Sequence, residues 1–222
     1  MQPLVLFDLD NTLVDRRLAL TDWAAAFRAR FGLRPEDEIW LISQLAERAS
    51  PAHFAEIRGR FHLVESASVL WDSYCAAIAA TVTCHPDVLM GLERLRALGW
   101  RIGIATNGAT DIQWAKLHAS GVADRTDAVC ISGEVGARKP EPAMFLEAVR
   151  RCGGRDDVVE AWMVGDNPVN DIGGGQAVGL RTVWISRGVT WPRSCPSPIV
   201  RSPEARLAID LLVAREPKRS TA

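Results

Sequence analysis

Residues 3–14 read PLVLFDLDNTLV: an apolar run of strand length, Leu4 to Phe7, passes directly into Asp8-Leu9-Asp10-Asn11-Thr12. A continuous apolar run, unlike an alternating one, is what a strand buried on both faces requires. Runs of the same kind occur at Ile102 to Thr106, Ala128 to Ile131, Trp162 to Val164 and Thr182 to Ile185, with helix-like stretches between these last four. Alternation of strand and helix predicts an α/β fold, a doubly wound parallel sheet with helical crossovers. Every strand except the third ends in polar or glycine-containing sequence (FDLDNT, ATNG, VGDN, ISRG). In such sheets ligands sit at the carboxyl ends of the strands, so the chemistry is expected there.

Between the first and second strands lie nearly ninety residues without a convincing strand. That is far more than one crossover helix requires, so an insertion is expected. It reads as helical: Leu18 to Phe31 closed by Gly32, Glu36 to Ala49 after Pro35, His53 to His62 after Pro51, and Ser66 to Ala80. The prolines stand where first-turn prolines are tolerated, and Gly32 stands where a helix stops. Asp87 to Leu98 reads as the crossover helix into the second strand. The expected organisation is a core of residues 1–15 and 85–215, an inserted α-helical subdomain of residues 16–84, and a polar, flexible tail at 216–222.

The composition fits one medium globular unit with such an insertion. Of 222 residues, 48% are hydrophobic and 24% charged, which excludes disordered and disulfide-stapled classes. Lys+Arg of 26 against Asp+Glu of 27 leaves a net charge of -1, which supplies no field to draw the chain onto nucleic acid or an anionic membrane. The longest charge-free stretch, between Asp72 and Asp87, is shorter than the ~20 apolar residues of a membrane span. The apolar start is interrupted by aspartates and has no basic leader, so a soluble, cytoplasmic protein is expected. Five scattered cysteines without a CxxC pair read as reduced core thiols. The four histidines show no metal-ligand spacing, and the tryptophans of the insert, Trp23, Trp40 and Trp71, read as packing. Only three lysines occur among the 26 basic residues, so a lysine inside a motif is informative.

Four segments at strand ends carry the chemistry: Asp8 to Thr12, Thr106-Asn107-Gly108, Arg138-Lys139-Pro140, and Gly165 to Asp171. Asp8 and Asp10 are two apart at the end of a strand, so both carboxylates can face one cavity, one to attack and one to move protons. Asp166 and Asp171 add two more acids, and four on one edge call for a cation. Mg²⁺ suits oxygen ligands of this kind. Thr106, Asn107 and Lys139 would supply donors to a phosphate, with Lys139 as a point charge. Taken singly each segment has a bland reading. Thr12-x-x-Asp15 could be a helix capping box, Thr106-Asn107-Gly108 a turn, and Lys139 a surface charge. Gly173-Gly174-Gly175 lacks the GxxxxGK[ST] context of a phosphate loop.

In combination, FDLDNT, IATNG, GARKPEPAMF and VGDNPVNDI resemble the four motifs of the haloacid dehalogenase-like hydrolase superfamily, in the family's order and strand context. The resemblance covers about Pro3 to Val14 and Asp87 to Gly188, and it implies a Rossmann-like core with the helical insert in the place of a C1-type cap. It further implies that Asp8 is a nucleophile forming an aspartyl-phosphate and that Asp10 protonates the leaving oxygen and then activates water. Thr106, Asn107 and Lys139 would bind the phosphoryl group, with Lys139 also orienting Asp8. Mg²⁺ would be held by Asp8, the Asp10 carbonyl and Asp166, with Asp171 close by. The implied activity is a Mg²⁺-dependent phosphatase acting on a small phosphorylated metabolite. Dehalogenases of the family lack an acid at the position of Asp10. A phosphomutase uses the same motifs, and a receiver-like phospho-accepting module would use an Asp, a Thr and a Lys. Receivers, however, lack the N-terminal DxD and the helical insert.

Overall fold

A computed structural model of the chain describes residues 2–154, 161–192, 194–195 and 197–215. The tail at 216–222 lies outside the described residues. Strand β1 (Leu4–Phe7) is followed by five helices: α1 (Arg16–Phe31), α2 (Pro35–Leu45), α3 (Pro51–Phe61), α4 (Ala67–Thr81) and α5 (Pro86–Ala97). Then come β2 (Arg101–Thr106), α6 (Thr110–Ala119), β3 (Ala128–Ile131), the short α7 (Ser132–Val135) and α8 (Pro142–Arg151). The chain continues through β4 (Ala161–Gly165), a π-helical turn (Pro168–Gly173), α9 (Gly174–Ala177), β5 (Arg181–Ile185), β6 (Val200–Ser202) and α10 (Ala205–Val213).

All six strands run parallel in the order β3-β2-β1-β4-β5-β6. The five expected strands are present. The sixth, β6, is only three residues long and follows a proline-rich stretch, too short for a periodicity to register. Within β1 the alternation divides the core cleanly. Val5 and Phe7 face the layer of α5 and α10 with Leu92, Leu95, Ile209 and Leu212, while Leu4 and Leu6 face Phe145, Ala148 and Val149 of α8. The chain builds outward from β1 to β3 on one side and then crosses back to β4 on the other. The carboxyl ends of β1 and β4 therefore flank the point where strand order reverses, where a crevice opens.

The insertion folds as four helices with an apolar cluster of their own, among them Trp23, Phe27, Leu41, Phe54, Trp71 and Tyr74. Phe54 is central: its ring lies 5.9 Å from Trp23, 5.5 Å from Trp71 and 5.1 Å from Tyr74. Helix α1 begins where the Asp15 carboxylate accepts the Leu18 N–H, and it ends at Gly32 in the left-handed region. The capping group is therefore Asp15, while Thr12 turns its hydroxyl to Asp8. Helix α2 stops at Leu45, short of the expected Ala49. Ser50 precedes Pro51 and is extended, as a residue before proline prefers, and the Arg16 guanidinium takes up the carbonyls of Leu45 and Ala46. Cys84, Cys130 and Cys152 are buried, Cys75 and Cys195 half-buried, and all five are free. No described helix is long and apolar enough to cross a membrane.

Truncating Phe54 to Ala removes the ring on which three other aromatics converge. The expected cost is about 3–5 kcal/mol, read as a lower urea midpoint with the slope of the transition unchanged.

Candidate active site

The register of the sheet brings the motifs together. Phe7 pairs with Ile104 on one side and Val164 on the other, so Asp8, Thr106 and the Gly165-Asp166 corner emerge at neighbouring strand ends. Asp8 is 7% exposed, and its carboxylate is oriented from two sides. Lys139 Nζ donates to Oδ1 at 2.6 Å, and the Thr12 hydroxyl donates to Oδ2 at 3.2 Å. The same Lys139 Nζ lies 2.7 Å from Asp171 Oδ1. Lys139 and Asp171 are both buried, so the ammonium is wedged between two carboxylates.

The loop carrying Lys139 is held by Asn107. Asn107 Oδ1 accepts the Lys139 N–H at 2.9 Å and Nδ2 donates to the Lys139 carbonyl at 2.9 Å, a side-chain copy of a strand pairing. The second Nδ2 hydrogen remains for a ligand in the cleft that Asn107 lines. Asp171 is fixed by the π-helical turn, where its Oδ2 accepts the Asn167 N–H at 2.9 Å. It also explains Gly165, since a Cβ there would stand 2.3 Å from Asp171 Oδ2. Asp166 stands at the mouth of the corner, and its carbonyl accepts the indole N–H of Trp184 at 2.7 Å.

Asp8, Asp166 and Asp171 each offer a carboxylate oxygen within 4.8 Å of one another. Three acids around one lysine leave an excess of negative charge. Burial pushes the Asp8 carboxyl up to about 8, with Asp171 and Asp166 adding to the rise against the pull of Lys139. Burial, followed by Asp171, pushes Asp166 up to about 7. Asp171 Oδ1 is buried against the Lys139 ammonium. Three clustered carboxylates that share one cation form a set of hard oxygen donors that fits a divalent cation of the Mg²⁺ type.

Asp10 lies apart from that cluster. Its two oxygens face Lys116 Nζ at 2.7 and 2.6 Å, with Arg16 Nε 3.8 Å away and Gln113 Nε2 at 3.4 Å. Burial raises the Asp10 carboxyl, but Lys116 and Arg16 outweigh it, so the group is held below the usual carboxylate range. Gln113 also donates to the hydroxyl of Thr106, which is fully buried and keeps its own proton free to donate. Lys116, Gln113 and Arg16 are the members of the site that no motif announced. Lys116, one of three lysines in the chain, stands outside every motif, so the scarcity of lysine that drew attention to Lys139 did not single it out.

A cleft of about 470 Å³ opens above these groups. Asp8, Asp10, Lys139 and Asp166 line its floor, and Arg17, Thr21, Ile42 and Glu47 of the helical insertion line the opposite wall. The arrangement offers an oriented carboxylate nucleophile, a second acid two residues away, and fixed donors for a tetrahedral anion.

Comparison with known proteins agrees with this geometry. Residues 3–179 match the haloacid dehalogenase-like hydrolase family. The chain is 36% identical over 200 residues to a glyceraldehyde 3-phosphate phosphatase of Methanopyrus kandleri, covering 83% of this chain and 84% of that protein. It is 33% identical over 171 residues to a phosphoserine phosphatase of Thermus thermophilus, covering 77% of this chain but only 59% of that protein's length. Among solved structures, a HAD phosphatase from Thermococcus onnurineus superposes with a TM-score of 0.70 at 27% identity, over 98% of this chain and 100% of that one. With the four motifs converging on one strand edge and the match spanning most of its length, the chain belongs to the haloacid dehalogenase-like hydrolases.

Proposed function

We propose that the chain is a Mg²⁺-dependent phosphatase that hydrolyses a small phosphorylated metabolite through an aspartyl-phosphate on Asp8. The observation that carries this reading is the Asp8 carboxylate, anchored at one oxygen by buried Lys139 and at the other by Thr12, at the foot of a cleft lined by further acids. Phosphatases among the relatives support the substrate class.

In this mechanism an Asp8 oxygen attacks phosphorus, the new O–P bond forms, and the bond to the leaving oxygen breaks. Asp10, once it has taken up a proton against the pull of Lys116 and Arg16, gives it to that oxygen. It then takes one from the water that attacks the phosphorus of the acyl phosphate, releasing inorganic phosphate and restoring Asp8. Lys139 and the Thr106 hydroxyl neutralise and position the equatorial oxygens, the larger part of catalysis where charge rather than covalent help limits the rate. Mg²⁺, held by Asp8, Asp166 and the Asp10 carbonyl with Asp171 behind, would offset the charge of the phosphoryl group. Residues 16–84 would act as a cap. Their wall of the cleft excludes water from the phosphoryl centre and contacts the rest of the substrate.

Two measurements test the reading. Wild-type protein with Mg²⁺ should release phosphate from p-nitrophenyl phosphate, and Asp8→Asn should abolish that turnover. Undiminished turnover in the variant removes Asp8 as nucleophile, and return of the phosphoryl group to a hexose phosphate would identify a mutase instead.

The second measurement concerns the cation. Without metal, folded Asp8 keeps its proton up to about 8, whereas the unfolded chain gives it up near 3.8. The folded form therefore binds the extra proton across that interval, and stability falls as pH rises through it. A cation that takes the proton's place reverses the loss, so Mg²⁺ should raise the melting temperature more at about pH 8 than at about pH 5. Calorimetry in EDTA and in Mg²⁺ checks this, and equal increments at both pH values would count against a cation among these acids.

A further inference from the structure

Lys116 has no place in the mechanism above, yet it is one of the most deeply buried charged groups in the chain, 1% exposed. Its ammonium reaches from α6 to both oxygens of Asp10. Burying an ammonium is costly, and a carboxylate at the edge of a cleft can be hydrated without one. What the lysine adds is direction. A carboxylate held through both oxygens by one ammonium cannot rotate about its terminal bond without losing a contact.

Gln113, three residues before Lys116 on the same face of α6, extends the constraint. Its Nε2 bridges Asp10 Oδ2 and the Thr106 hydroxyl. The crossing is possible because residue 108 has no side chain, since a Cβ there would lie 2.7 Å from Gln113 Cδ. Arg16 closes the frame from the other side, 3.8 Å from Asp10 Oδ2, while its guanidinium donates to the Leu45 and Ala46 carbonyls of the insertion. Asp10 is thus aimed by groups from α6 and α1 and not by the loop on which it sits.

We propose that Lys116 is a positioning residue that acts through Asp10, aiming its carboxyl group at the leaving oxygen of a phosphomonoester, with Gln113 tying that aim to Thr106. This rests on the phosphatase reading and adds to it a residue outside the four motifs.

The test exploits leaving groups. Phenolate is a poor leaving group that needs a proton, and 2,4-dinitrophenolate leaves without one. General acid help is worth about 10²–10⁴-fold, so Lys116→Met should lower kcat for phenyl phosphate by about 10²-fold or more with KM nearly unchanged. The loss with 2,4-dinitrophenyl phosphate should stay below about 10-fold. A purely structural role would lower both alike, and equal losses overturn the proposal. Lys116→Met leaves a buried carboxylate without its main partner and can fail to fold. The double variant Asp10→Asn/Lys116→Met removes both members of the pair, and it should turn over phenyl phosphate no more slowly than Asp10→Asn alone. A further loss in the double variant would show that Lys116 acts elsewhere. If the wild type releases no phosphate from either ester, the phosphatase reading itself fails, a result distinct from unselective loss in an active enzyme.

Discussion

The site depends on one buried ammonium. Lys139 stands buried between Asp8 and Asp171 at 2.6 and 2.7 Å, and without it two carboxylates would face each other across a low-dielectric gap. Removing one partner of a buried pair typically costs about 3–5 kcal/mol, because the charge left behind is uncompensated. The rest of the strand edge is arranged so that this lysine cannot move. Asn107 grips its backbone from β2, the π-helical turn fixes Asp171 after β4, and glycine at 165 lets that turn close against the strand. The three strands meet there because the sheet reverses its order between β1 and β4.

Helix α6 links this edge to the inserted helices, and its three faces do different work. Leu117 packs into the core of the sheet, and Ile112 joins the apolar cluster of the insertion. Gln113 and Lys116 face Thr106 and Asp10. Asp111 accepts the indole N–H of Trp71 from α4 at 2.6 Å, a second tie between insertion and core beside the Arg16–Asp10 contact. With Arg187 also 3.1 Å from Asp15 at the start of α1, the insertion is joined to the core by charged and polar contacts as well as by Ile112 in its apolar cluster.

The sequence made legible what local pattern encodes. Continuous apolar runs marked five strands, first-turn prolines at 35 and 51 marked helix starts, and carboxylates at strand ends marked the edge where Asp8, Asp166 and Lys139 meet. Short or context-dependent features were not legible. Strand β6 has too few residues for a period, and the end of α2 is set by Ser50 before proline and by an arginine donated from α1. Gln113 and Lys116 were hidden for a similar reason. On a helix they read as ordinary polar residues, and only the way α6 crosses beside Asp10 and the end of β2 turns an i, i+3 spacing into a pair of contacts on Asp10 and Thr106.

That crossing also divides labour between two aspartates separated by a single leucine. Asp8 lies among acids and is buried, so its carboxyl is pushed up. Asp10 is partly buried and lies between Lys116 and Arg16, so its carboxyl is held down. The separation arises beyond the end of β1 at Phe7, where the Asp8 carboxylate meets Lys139 and Thr12 while that of Asp10 meets Lys116 and Arg16. The leucine between them is fully buried and contributes to the sheet core. An aspartate in surplus negative charge and another in surplus positive charge are thus both consequences of what the chain meets as it leaves its first strand.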